Sequence, residues 1–266
     1  MSVVETGAPA VGQLLREWRT RRRLSQLDLA SAAGISARHL SFVETGRARP
    51  SREMVLHLAE WLDVPLRERN ALLLAGGYAP AYPQHGLDEP ELASVRVALR
   101  QVLAGHLPNP AVIIDRWWDL LDANAAIEAL LDGCAPELLT PPVNVLRLSL
   151  HPRGMAPRIA NLGQWRAHLL TQLGHRARAL GDQRLRELHA ELAGYPGGDE
   201  EPVSAAGVVL PLRYRLGDRE LSLFSISAAV DTATDVTVQE LSIEAFYPAD
   251  AATAEVLRGL ASRPEG

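Results

Sequence analysis

Lysine is absent from the 266 residues, and all 27 basic side chains are arginine. Cysteine occurs once, at Cys134 beside Gly133. One cysteine allows no intrachain disulfide and no cysteine-rich zinc site, and beside a glycine it reads as packing. No stretch approaches the ~18 consecutive apolar residues of a membrane-spanning helix. The N-terminus lacks the charged-then-apolar pattern of a secretory leader, so a cytoplasmic protein with no membrane partner is expected. Catalytic signatures are also missing. The eight histidines form no H-E-x-x-H, and there is neither a phosphate loop nor a G-x-S-x-G. His168 and His175 fall on one expected helix about 10.5 Å apart by helical rise, too far to share a metal. Glu240 and Glu244 have the spacing of one strand face and could pair as acid and base, although a solvated or arginine-paired face looks the same. No enzyme, cofactor, metal site or catalytic residue is expected.

What is present is unevenly spread. Between Arg16 and Arg52 nine arginines face three acids, a net charge of +6. The whole chain carries -5, which leaves -11 for the remainder. A basic head on an acidic body is the charge pattern of a DNA-binding domain joined to something else.

Leu24 to Pro50 explains the basic head. Ser25 is suited to cap a helix, with Asp28 three residues on to answer its first amides. Leu27, Ala30 and Ala33 recur at helical spacing. Gly34 can take the left-handed conformation that ends the helix, and Ala30 and Gly34 are expected to let two helices cross closely. Ser36 caps a second helix whose Leu40 and Val43 face inward, and Gly46 stops it. Ala37, Arg38, Ser41 and Phe42 then point outward, and the N-terminal end can enter a major groove. A helical hairpin inside an all-α core would share the spacing but not the charge.

This stretch resembles the Cro-like helix-turn-helix of the xenobiotic-response-element family of repressors. Leu24-Ser25-Gln26, Leu29-Ala30, Gly34-Ile35-Ser36, Leu40-Ser41, Val43-Glu44-Thr45-Gly46 and Arg49-Pro50-Ser51 carry the resemblance. It implies operator DNA as partner, bound by a homodimer. It places Gln26 on a phosphate from the helix terminus that Ser25 caps, and Ala37, Arg38 and Phe42 against bases. Ser36, Thr45 and Arg47 fall near the backbone. Phe42 departs from the polar residue often found there and offers a thymine methyl an apolar face instead. The resemblance also implies a structural ion pair of Arg19 with Glu44.

Around this motif, Val11 to Arg22 reads as a first helix, with Arg21, Arg22 and Arg23 a solvated run that attracts phosphate. Ser51 caps a fourth helix and Leu66 to Ala75 forms a fifth, which completes a domain at 11–77. Residues 1 to 10 read as disordered. The Pro- and Gly-rich residues 78–90 read as a linker, with a strap ordered by Tyr78 and Tyr82 the alternative.

The remainder, 91–260, alternates between helical and strand signals. Leu92 to Leu107 is an amphipathic helix, and Ala111 to Asp115 and Trp118 to Asp122 are strands. Asn124 is expected to cap a helix to Leu131. Helices follow over Leu162 to Leu180 and Arg184 to Leu192, then a loop over 194–202. Strands are expected over Val208 to Leu216, Glu220 to Ala229 and Val236 to Phe246, and a last helix after Asp250. The fold class is thus an all-α five-helix helix-turn-helix domain followed by an α+β PAS-like domain with a five-stranded antiparallel sheet. The opening strand-turn-strand-helix resembles a PAS-type sensor. Trp118-Asp119 with Asn124-Ala125, Asn144 to Arg147, Trp165-Arg166 and Glu240 to Asp250 resemble the MmyB-like ligand-binding domain. The pair of resemblances implies a one-component transcription regulator that senses a small apolar ligand such as a fatty acid. Trp117, Trp118 and Trp165 are candidates to line its pocket. The alternative is a ligand-independent repressor whose second domain dimerises or binds a protein. An apolar cavity in that domain distinguishes the two.

Overall fold

The computed structural model describes residues 10–197, 209–230 and 232–262. Of the expected disordered stretch 1–10, all but the last residue lies outside them, as do most of the 194–202 loop and the beginning of the Val208 strand. By its contacts the chain forms two units.

The first unit contains α1 (Val11–Arg21), α2 (Gln26–Ala32), α3 (Ala37–Glu44), α4 (Arg52–Trp61) and α5 (Leu66–Ala75). Serine hydroxyls start three of them. Ser25 and Asp28 form a reciprocal capping box, while Ser36 accepts from the His39 amide and Ser51 from the Met54 amide. Leu15, Trp18, Leu29, Leu40, Val43, Leu58 and Leu72 fill the core. The close helix crossing differs from the expectation. Gly34 has φ +65° but open space around its missing Cβ, so it serves the turn and not the approach. The tight contact is at Gly12, where a Cβ would stand 2.1 Å from the Val43 carbonyl oxygen. Ala30 is buried in this core, as are Ala33 and Ala59. Arg22 is not a solvated charge either. It donates to the Leu62 and Asp63 carbonyls at 2.7 and 2.6 Å and so closes the end of α4.

Residues 78–85 lie along this unit as an ordered strap. The Tyr78 hydroxyl donates to the Pro50 carbonyl, and Asn70 bonds the backbone of Ala81 and Tyr82 through both ends of its amide.

The second unit begins with α6 (Ala93–Gly105), β1 (Ala111–Ile114), β2 (Leu120–Ala123), α7 (Glu128–Leu131), α8 (Val145–Leu150), α9 (Leu162–Leu180) and α10 (Gln183–Ala193). It continues with β3 (Leu212–Leu216), β4 (Arg219–Ala229), β5 (Ser242–Pro248) and α12 (Ala251–Ala261), while α11 (Val236–Glu240), between β4 and β5, lies in the first unit except for Glu240. The five strands form one antiparallel, PAS-like sheet in the order β2-β1-β5-β4-β3. All four residues of β1 are buried because this strand is covered on both faces. Ala111 and Ile113 meet Leu99 and Leu103 of α6, while Val112 and Ile114 face the larger core with Leu148, Leu169 and Leu173.

Two local expectations fail here. Val236 to Phe246 is not one strand, because α11 occupies its first half. Val236, Thr237 and Val238 favour a strand by type, but the Asp235 carboxylate accepts from the amides of Thr237 and Val238 and starts a helical turn. Asn124 does not cap. Its side chain accepts from the Ala111 amide and donates to the carbonyls of Leu103 and Asn109, tying β1 to the end of α6.

The connection between β4 and β5 leaves the second unit. Residues 232–239 belong by their contacts to the first. Asp235 bonds the His85 ring at 2.8 Å, Thr237 donates to the His85 carbonyl, and Gln239 accepts from the Leu66 amide at the start of α5.

Candidate recognition helix and ligand cavity

In the head, α3 presents an exposed Arg38, with Ala37, Ser41 and Phe42 half-buried. The Arg38 guanidinium lies 5.4 Å over the Phe42 ring, which extends it along the helix face. Thr45 is exposed and donates to the Ser41 carbonyl at 2.7 Å, and Arg47 is exposed beyond it. The Ser25 and Ser36 hydroxyls are exposed and accept from their helices' first amides. Gln26 has a second partner besides any phosphate, since its amide donates to Glu44 at 2.7 Å. Arg19 donates to both oxygens of the same carboxylate and also to the Leu24 carbonyl. Burial works to raise the Glu44 carboxyl, but the bonds from Arg19 and Gln26 outweigh it and hold it below its ordinary value. The cluster therefore fixes α1, α2 and α3 around one carboxylate.

In the second unit a cavity of about 250 Å³ lies between the sheet and α7, α8 and α9. Its wall is mostly apolar: Val112, Leu130, Leu148, Met155, Leu169 and Phe246. Trp118 and Trp165 line it; Trp117 does not take part. The Trp117 indole instead donates to Asp182 at 3.0 Å, between the guanidinium groups of Arg116 and Arg184. Trp118 reaches the cavity through an unusual backbone, with φ +64°. Asp115 holds that turn by accepting from the Trp117 and Asp119 amides at 2.7 and 2.9 Å. The Trp165 indole donates to Ser149.

The cavity has a polar end that sequence reasoning missed. His168 and Gln172 of α9, Ser225 of β4 and Glu244 of β5 stand there. They also line a wider vestibule of about 940 Å³, which adds His175, Arg176 and Ser227. Burial pushes the Glu244 carboxyl up from its ordinary value, against the bond from Ser227 and the charge of Arg176. Burial likewise pushes the His168 imidazole down from its ordinary value. The signal for these residues was their spacing: His168, Gln172 and Arg176 recur every four residues and share a helix face. Glu240 and Glu244 do not form the acid–base pair that even spacing allows. Glu240 ends α11 and accepts from buried Arg116 at 2.7 Å, while Glu244 faces the cavity.

Residues 95–260 match the family model described as the MmyB-like transcription regulator ligand binding domain. The chain belongs to this family. Residues 10–72 match a second model, described as a helix-turn-helix domain. A helix-turn-helix head with an MmyB-like domain makes this a DNA-binding transcription regulator, and both families are regulatory and not enzymatic. No curated protein matches the chain. Solved structures with a similar chain include these two. The PAS domain of Bordetella pertussis BvgS is 18% identical, with TM-score 0.25 over 63% of this chain and 95% of that one. An RNA-binding light-oxygen-voltage receptor is 14% identical, with TM-score 0.28 over 94% of this chain and 60% of that one. No helix among the described residues is long and apolar enough to cross a membrane.

Proposed function

We propose that this protein is a cytoplasmic one-component transcription regulator whose MmyB-like domain senses a small apolar ligand, a fatty acid or a related acyl compound. The observation that carries this reading is the apolar cavity beside α9, in the domain whose family description names ligand binding. Operator DNA is bound by the head as a homodimer, with half-sites about one helical turn apart. Arg38, Ala37 and Phe42 face base edges, with Ser41 beside them. Ser25, Gln26, Ser36, Thr45 and Arg47 serve the phosphate backbone. Trp118 and Trp165 touch the ligand.

A ligand shifts operator affinity only by its differential affinity for the two states of the protein. The expected coupling is about 1–3 kcal/mol, or about 5- to 150-fold, and operator DNA must change ligand affinity by the same factor. The test is native mass spectrometry of the purified full chain, followed by operator titration of delipidated protein with and without acyl ligands. A co-purifying apolar molecule and a ligand-dependent operator affinity support the reading. One operator affinity across a broad ligand panel, with no thermal stabilisation by any ligand, leaves a ligand-independent repressor as the better account.

A further inference from the structure

The vestibule at the polar end of the cavity holds an arginine and a glutamate that form no hydrogen bond or ion pair with each other. Arg176 stands on α9 with its guanidinium 4.5 Å over the Trp118 ring. Among the described residues it makes no hydrogen bond or ion pair, although a guanidinium carries five N–H donors and stays charged at all working pH. Glu244 stands across the vestibule on β5, bonded to Ser227, with acceptor capacity left over. His168 lines the same vestibule, with the Gln172 amide 3.0 Å from its Nε2.

A ligand that seats its chain in the apolar cavity brings its head to this place. A methyl or bare hydrocarbon end offers neither group a hydrogen-bond partner. A plain carboxylate serves Arg176 but offers no donor to Glu244. A head that carries an O–H or N–H donor beside its carboxylate serves both: the anion faces Arg176 and the donor faces Glu244. We propose that the cavity selects acyl chains with a hydrogen-bond donor next to the terminal carboxylate, as in 3-hydroxy acids and N-acyl amino acids, over plain fatty acids. This rests on the ligand-sensing reading above and narrows it to a class of head group. Glu244 and Arg176 are the specificity-determining pair.

The test is calorimetric titration of the delipidated full chain with dodecanoate, 3-hydroxydodecanoate, N-dodecanoylglycine and dodecanol. One or both donor-bearing acids should bind about 10-fold or more tightly than dodecanoate, the scale of one charge-assisted hydrogen bond. Which of the two binds better tells a hydroxyl head from an amide head. Glu244→Met should remove that preference and leave dodecanoate affinity equal or higher. Arg176→Met should weaken all three acids and spare dodecanol. Should Glu244→Met fail to fold, the four-ligand ranking on the unaltered protein decides alone. Dodecanoate binding as tightly as the donor-bearing acids overturns the inference and leaves the cavity reading standing. No binding by any of the four, with no thermal shift, defeats the cavity reading and this inference with it.

Discussion

Arg19 grips Glu44 with two parallel bonds, Nε to Oε1 at 2.6 Å and Nη2 to Oε2 at 2.8 Å. The Glu44 side chain is fully buried and that of Arg19 nearly so. A planar guanidinium matches a carboxylate in this way, and the match is strong because little water competes. Removing the charge from one partner leaves the other buried and uncompensated. Glu44→Gln should therefore destabilise the head by about 3–5 kcal/mol, read as a lower melting temperature of the first unit in the full chain. A variant that melts like the parent and fails only to bind operator would instead make Glu44 a recognition residue.

The same pair sets an acid limit. The folded carboxyl of Glu44 is held below its ordinary value by Arg19 and Gln26, in spite of burial. A depressed folded value means that the contribution is fully present above the unfolded value near ~4.3 and is lost as pH falls through the folded one. Between about pH 5 and pH 3 the parent should lose melting temperature more steeply than Glu44→Gln, which has no such group to protonate. Parallel curves for the two proteins would show that Glu44 has the same affinity for protons folded and unfolded.

The outward face of α3 separates reading from holding. Arg38→Ala should cost about 1–3 kcal/mol against a selected operator and relax preference at one base pair. Arg47→Ala should weaken all sequences alike and reduce the salt dependence by about one phosphate's worth. Operator binding unaffected by Arg38→Ala would show that α3 is not the recognition helix. Gel shifts at two salt concentrations, on selected and scrambled operators, distinguish these outcomes.

Gly12 makes the tightest helix contact in the head. A methyl there meets the Val43 carbonyl at 2.1 Å, and backbone yields less readily than a side-chain tip. Gly12→Ala should cost about 1–3 kcal/mol by overpacking, despite the better helix propensity of alanine. Because α3 is the element displaced, operator affinity should fall as well. A melting temperature at or above the parent's would show that α1 and α3 separate without penalty.

The head was legible because its instructions are local. Ser25 with Asp28, Ser36 and Ser51 each sit within four residues of the amides they cap, and the buried leucines keep helical spacing. The five strands could be counted for a similar reason, from short branched runs between turns. The failure at Val236 to Glu240 is equally physical: three β-branched or threonine side chains favour a strand, and one upstream carboxylate overrules them. The cavity left no trace in the chain. Leu130, Leu148, Met155 and Leu169 have the pattern of an ordinary core, and whether such residues meet or stand apart around a void depends on packing between elements far apart in sequence. Gly12 escaped notice because its partner lies 31 residues away on another helix.

The visit of residues 232–239 to the first unit bears on how such proteins are inherited. The head is not one uninterrupted length of gene: its last piece is encoded after β4, some 145 codons beyond the strap. A recombination that joined residues 1–85 to a different receptor would leave behind the carboxylate that holds His85 and the amide that receives the Leu66 N–H. Head and receptor must then pass between lineages together, or the incoming receptor must bring its own version of the β4–β5 loop. Successful chimaeras will be those that graft two segments and not one.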